Sequence, residues 1–219
     1  MTADELLKQL WRDWTQGMPL VAAWRLPIAT APEDMLLLYE AAASATLPEG
    51  HILEVGTGLA VSTLALARGN AARRRGEMVL TLDTLVEARK TALAGAACAL
   101  LAIHATGRYG IVYMQGDTAH LRWLIGERNR RFRIAFIDGD HTYDGLANDL
   151  AIVAPLMTSG GVIFVHDTGE WERWADKEPG CCRLWRSLRE AGMYAAPDGR
   201  IWKPIDVSAA MGRMDLMSE

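Results

Sequence analysis

The chain has 219 residues, 50% of them hydrophobic, and a formal charge of −4 at pH 7. That is enough apolar material for one full-sized core, and it excludes a disordered protein. The arginine groups Arg73-Arg74-Arg75 and Arg128, Arg130, Arg131 and Arg133 lack interleaved aromatics and overall positive charge. They read as solvated loops, and nucleic acid is not an expected partner.

Residues 2–14 are amphipathic and begin with acids, unlike a signal peptide. No apolar run reaches the length of a membrane span. Three cysteines, Cys98 and the adjacent pair Cys181-Cys182, have no metal-ligand spacing, so reduced thiols and a cytoplasmic location are expected.

Thr2 and Glu5 form a capping-box pattern ahead of an apolar stripe of Leu6, Leu7, Leu10, Trp11 and Trp14. Thr30 and Glu33, with Pro32 between them, announce a second helix over 35–45. Together these segments suggest a helical extension or cap over 1–49, followed by the main domain over 50–204 and a tail over 205–219.

From Gly50 strands and helices alternate. Strands are expected over 51–55, 78–82, 109–114, 134–137 and 162–165, with helices over 60–68 and 86–105, after Thr118, and from Asp144 onward. Strict alternation predicts right-handed crossovers and a parallel sheet covered on both faces. After Asp167 a polar loop carries Trp171 and Trp174, and a helix follows over 183–191. Asp198-Gly199 between two short strands signals a hairpin, so the mostly parallel, seven-stranded sheet should end in an antiparallel pair. The tail from Pro204 has no firm pattern; its methionines, with the many tryptophans, are compatible with a homodimer.

Chemistry-bearing residues gather at the predicted strand ends. Glu54-Val55-Gly56-Thr57-Gly58 closes the first strand with a glycine turn, where a ligand can approach backbone and a helix amino end. Asp83 ends the second strand, about 25 residues on, where a carboxylate can accept ribose hydroxyls. Gly116-Asp117-Thr118 follows the third strand, Asp138-Gly139-Asp140-His141 the fourth, and His166-Asp167 the fifth. In open α/β sheets ligands bind at these carboxyl ends.

The run Ile137-Asp138-Gly139-Asp140-His141-Thr142-Tyr143-Asp144-Gly145, then Asp149-Leu150, Leu156, Gly160-Gly161, Ile163 and His166-Asp167, resembles a small subfamily of the class I S-adenosylmethionine (SAM)-dependent methyltransferases. The likeness covers roughly residues 51–203. It implies a Rossmann-like α/β fold and methyl transfer to a small-molecule acceptor, most readily a hydroxyl oxygen. It also implies that Glu54, Gly56, Thr57 and Gly58 surround the methionine part of SAM, Asp83 the ribose, and Gly116, Asp117 and Thr118 the adenine. Asp138 would stand beside the sulfonium.

His141 takes the place of the lysine base of catechol-type relatives, and a histidine can remove a hydroxyl proton near neutrality. His166 is an alternative acid or base. Those relatives bind Mg²⁺ at places matched here by Asp138, His166 and Asp167. A histidine in that set weakens the case for a hard cation and leaves a softer metal, or none. Asp140, His141, His166 and Asp167 would line the acceptor side, with the Trp171–Trp174 loop as a lid.

Two other readings remain at this point. One is a nicotinamide-dependent oxidoreductase, disfavoured by Val61 in the third glycine place and by the lack of a tyrosine–lysine pair at helical spacing. The other is a SAM-binding module without catalysis.

Overall fold

The computed structural model describes residues 2, 5, 8, 31–58, 60–84, 110–126, 132–169 and 180–217. The chain divides into two compact units, Met1–Thr46 with Thr57–Gly116, and Leu47–Gly56 with Asp117–Glu219. The apolar face carrying Trp11 and Trp14, Trp24, the helix expected over 86–105 and the Trp171–Trp174 loop lie outside the described residues.

In the first unit the amino-terminal box forms as the sequence requires. Thr2 N–H donates to Glu5 Oε2 at 2.7 Å, and Glu5 N–H donates to Thr2 Oγ1 at 3.2 Å. Helix α1 (Pro32–Ala43) is different: Ala31 is its N-cap and no side chain caps it. Proline in the first turn suits this start, and Thr30, the other half of the expected second box, lies outside the described residues. Helix α2 (Val61–Arg73) packs against α1, and a Cβ at Gly69 would overlap the Tyr39 carbonyl oxygen. Met35, Leu38 and Ala42 of α1 and Leu64 to Ala67 of α2 are buried. Strands β2 (Val79–Asp83) and β3 (Ile111–Gln115) pair in parallel from Val79–Ile111 to Asp83–Gln115.

The second unit holds six strands in the order β1 (His51–Val55), β4 (Phe132–Ile137), β5 (Met157–His166), β8 (Met211–Leu216), β7 (Ile201–Asp206) and β6 (Tyr194–Ala195). Strand β1 (His51–Val55) lies parallel to β4 (Phe132–Ile137), which lies parallel to β5 (Met157–His166). Every residue of β4 is buried, as expected for a strand covered on both faces. That includes Arg133, which is fully buried and not in a solvated loop as the sequence suggested. Arg73 likewise ends α2 with its side chain shielded, 3.8 Å from Glu77, while Arg128, Arg130 and Arg131 lie outside the described residues. After β3 the chain forms a 3-10 helix (Thr118–Gly126). Helix α3 (Tyr143–Val153) follows β4, and the Ala154–Leu156 turn with its proline ends it. Helix α4 (Gly180–Ala191) starts three residues earlier than its periodicity suggests.

Strand β5 also starts earlier than expected, at Met157 rather than 162. The pairing shifts between Phe132–Met157 and Ile134–Val162, an irregularity that accommodates Gly160 and Gly161 inside the strand.

The carboxyl terminus changes the strand count. Strand β7 (Ile201–Asp206) pairs with β6 (Tyr194–Ala195) around the Asp198-Gly199 turn, where Gly199 has φ +85°. The tail then forms β8 (Met211–Leu216), antiparallel to both β5 and β7. The described residues therefore contain eight strands, not seven, and residues 211–216 supply the eighth. Met211 and Met214 are buried, and a Cβ at Gly212 would overlap the Trp185 ring. A glycine at a packing position breaks the period-2 hydrophobic signal, which hides β8 from a reading of the sequence.

Candidate active site

In the second unit, register brings three strand ends side by side. Val55 pairs with Ile137, and Ile137 with Val165, so Gly56, Asp138 and His166 leave neighbouring strands together. Asp138 N–H donates to the Val55 carbonyl at 2.8 Å. A Cβ at Gly56 would overlap the Asp138 carbonyl, and its φ of +94° suits glycine alone. The glycine is required by close backbone approach as much as by the turn.

The loop after β4 is pinned by its own side chains. Thr142 N–H donates to Asp140 Oδ1 at 2.9 Å, and Thr142 Oγ1 caps α3 by accepting Gly145 N–H at 3.0 Å. A Cβ at Gly180 would overlap Tyr143 N, so the start of α4 presses directly on this loop. Cys181 N–H donates to the His141 carbonyl at 3.1 Å.

His141, Asp167, His166 and Asp138 then form a chain of contacts. His141 Nδ1 is 2.7 Å from Asp167 Oδ2. His166 Nδ1 lies 3.2 Å from Asp167 Oδ1 and 3.3 Å from Asp138 Oδ1. The His166 ring meets Phe136 edge-on, with centroids 6.0 Å apart. Asp167 sits at φ +53°, a left-handed conformation that costs a non-glycine residue about 1–2 kcal/mol. Its carbonyl is held by the thiols of Cys181 at 3.3 Å and Cys182 at 2.8 Å.

The two histidines differ in access. The His141 side chain is 55% exposed and can meet a substrate, whereas that of His166 is 3% exposed and bridges carboxylates. Hydrogen bonding to Asp167 and then to Cys181 outweighs desolvation and raises the His141 pKa to about 10. At Asp167 burial pushes the pKa upward, but hydrogen bonds from His141 and His166 win and hold it below the usual carboxylate range.

Asp138, His141 and Asp167 can each offer one ligand atom, all within 4.8 Å of one another. This group contains His141 where the sequence pointed to His166. Two carboxylates and an imidazole form a mixed oxygen and nitrogen set, better matched to Mn²⁺, Co²⁺ or Zn²⁺ than to Mg²⁺.

In the first unit the glycine turn and Asp83 are joined: Gly58 N–H donates to Asp83 Oδ2 at 2.9 Å. Thr57 is turned inward, its hydroxyl 2.6 Å from that of Thr81. Gly116 N–H donates to the Asp83 carbonyl at 2.9 Å. In the second unit Glu54 is fully buried in β1. Asp117 Oδ1 accepts Ala119 N–H at 3.0 Å and lies 2.9 Å from His120 Nδ1, so it caps the 3-10 helix. Thr118 is buried and donates to Asp149 Oδ1 at 2.6 Å, which leaves its backbone as the part able to face a ligand.

The sequence assigned no site role to Cys181, Cys182 or Asp149. The cysteines carried no readable signal. Asp149 did: it falls among Leu146, Leu150 and Val153, on the face of α3 that is buried.

Residues 53–168, more than half of the chain, match the model of a family described as a methyltransferase domain. The chain belongs to that family. No curated protein matches it. Among solved structures it is similar to the O-methyltransferase TomG of Streptomyces achromogenes, which acts in tomaymycin synthesis and was crystallised with SAM. That pair has 15% identity and a TM-score of 0.62, over 94% of this chain and 90% of that one. An O-methyltransferase of Bacillus cereus in complex with S-adenosylhomocysteine (SAH) has 19% identity and a TM-score of 0.60, over 94% and 91%. A SAH-bound methyltransferase of Podospora anserina has 16% identity and a TM-score of 0.65, over 95% and 88%. These likenesses show the fold, a Rossmann-like methyltransferase α/β fold. Among the described residues no helix is long and apolar enough to cross a membrane.

Proposed function

We propose that this methyltransferase uses SAM to methylate a hydroxyl oxygen of a small molecule, with His141 as the base. One observation carries the reading: the half-exposed His141 imidazole is anchored through Nδ1 to Asp167, beside Asp138 at the ends of β4 and β5. Nδ1 is committed to the carboxylate, so Nε2 is the atom that takes the acceptor proton. Asp167 orients the ring and stabilises the imidazolium that forms, and His166 keeps Asp167 and Asp138 in place.

Bound SAM would supply an electrophilic methyl on a sulfonium that leaves as a neutral thioether. In the first unit Asp83 is assigned to the ribose, and Gly58, whose N–H it accepts, to the methionine part. In the second, Glu54 and Gly56 are assigned to the methionine part, Asp138 to the sulfonium charge, and the Asp117-Thr118 backbone to the adenine. Reduced, buried thiols at Cys181 and Cys182 support a cytoplasmic setting. Calorimetry with SAM and SAH tests the reading, and absence of binding at millimolar ligand ends it.

A second reading is favoured by the Asp138, His141 and Asp167 group. A borderline divalent ion held there would polarise the acceptor hydroxyl, and His141 would be a ligand instead of a base. Activity that survives exhaustive chelation selects the base; activity restored only by Mn²⁺, Co²⁺ or Zn²⁺ selects the metal.

A further inference from the structure

Asp149 takes no part in the chemistry above, yet it is a carboxylate on the buried face of α3, between Leu146 and Leu150. Burying a carboxylate is costly unless it is well bonded. Its Oδ1 accepts the Thr118 hydroxyl at 2.6 Å across 31 positions of sequence. Its Oδ2 lies 3.5 Å from the place a Cβ would occupy on Gly139. One side chain therefore bonds to the segment that follows β3 and lies close to the turn that follows β4.

Thr118 opens the 3-10 helix, and Asp117 caps that helix from the other side. With the Thr118 hydroxyl drawn inward and the Asp117 carboxylate bonded to Ala119, the peptide between them has one orientation. Neighbouring Asp117 and Asp140 both act against a charge on Asp149, and burial does so more strongly. An apolar residue here would fill the same helix face without that penalty, so packing does not explain the carboxylate.

We infer that Asp149 is a positioning residue for methyl-donor binding: by holding Thr118 inward it sets the Asp117-Thr118 backbone that meets the adenine. The inference rests on the SAM-dependent reading above and deepens it. Asp149 acts through Thr118 and does not touch the donor, so it governs affinity and not the chemical step.

The test is SAH titration by calorimetry, with saturation kinetics alongside, on the full chain. Asp149→Ala is expected to weaken SAH binding roughly tenfold or more, the usual effect of losing a hydrogen bond to a charged group. The rate at saturating donor should change far less. Asp149→Asn keeps an acceptor for the Thr118 hydroxyl and should restore most of the affinity. Thr118→Val removes the bond while leaving Asp149 in place, so it serves if Asp149→Ala fails to fold, and it should show the same loss. Combined in one chain, Thr118→Val and Asp149→Ala should be strongly non-additive. Wild-type affinity in Thr118→Val, additive losses, or no rescue by asparagine overturn the inference. Failure of the wild-type chain to bind SAH overturns the donor assignment itself, and this inference with it.

Discussion

His141 Nδ1 and Asp167 Oδ2 are 2.7 Å apart, a hydrogen bond between a half-exposed imidazole and a carboxylate that is mostly shielded. The thiols of Cys181 and Cys182 fix the Asp167 carbonyl behind it. Such a pair keeps the imidazole charged far above its ordinary range, which governs how the site responds to pH and to a cationic ligand.

Replacing Asp167 by asparagine removes the main cause of the raised His141 pKa. In the wild-type free enzyme His141 accepts a proton only after losing its own, so kcat/KM should climb toward pH 10. In Asp167→Asn that limb should move to lower pH by one or more units. The same bond contributes stability that is complete below about pH 6.5 and is lost as pH rises through about 10. The melting-temperature gap between the two proteins should therefore be wide at neutral pH and close by pH 10. An unmoved limb would remove Asp167 from the base's control.

A sulfonium held near Asp138 competes with the imidazolium for the same negative charge. Binding of SAM at pH 8 should expel up to one proton, seen as a binding enthalpy that varies with the ionisation enthalpy of the buffer. SAH, whose sulfur is neutral, should show much less variation. Identical buffer dependence for the two ligands would mean that the sulfur end lies away from the His141–Asp167 pair.

His141→Ala should lower kcat by a factor of about 10²–10⁴, the usual contribution of a general base. SAH affinity should stay within about twofold, because no donor contact is removed. Full turnover in the variant would exclude His141 from proton removal.

Asp149 predicts a trade between function and stability. Burial, aided by Asp140 and Asp117, raises its pKa from 3.8 to about 6. The native state then holds a proton that the unfolded chain has lost, so stability falls as pH rises between those values. Asp149→Asn avoids the charge and should be more stable than wild type at pH 7, by on the order of 1–3 kcal/mol. The difference should vanish below about pH 4. Urea unfolding at pH 4 and pH 7 measures it, and a pH-independent difference would contradict the buried-charge account.

Two glycines mark backbone contacts that side chains cannot share. Gly56→Ala meets the Asp138 carbonyl at positive φ, and Gly212→Ala meets the Trp185 ring. Each should destabilise the fold by about 1–3 kcal/mol. Urea midpoints close to wild type would show that the strands shift easily at these points.

The alternating strands and helices, the carboxyl-end clusters and the methyltransferase likeness were legible because each is a local pattern. A buried strand such as 134–137 is a short apolar run, and a strand-to-helix turn announces itself by glycine and aspartate. Capping is similarly local, and Thr2–Glu5 closes as its spacing requires. Other features depend on partners far apart in the chain. Strand β8 exists because β5 and β7 flank it, and its own sequence, with Gly212 at a packing position, carries no alternation. Only tertiary structure turned Thr118 inward to Asp149, buried His166 between two carboxylates, and set two cysteine thiols on the Asp167 carbonyl. Sequence specifies which groups reach a strand end; register and side-chain packing decide which of them touch.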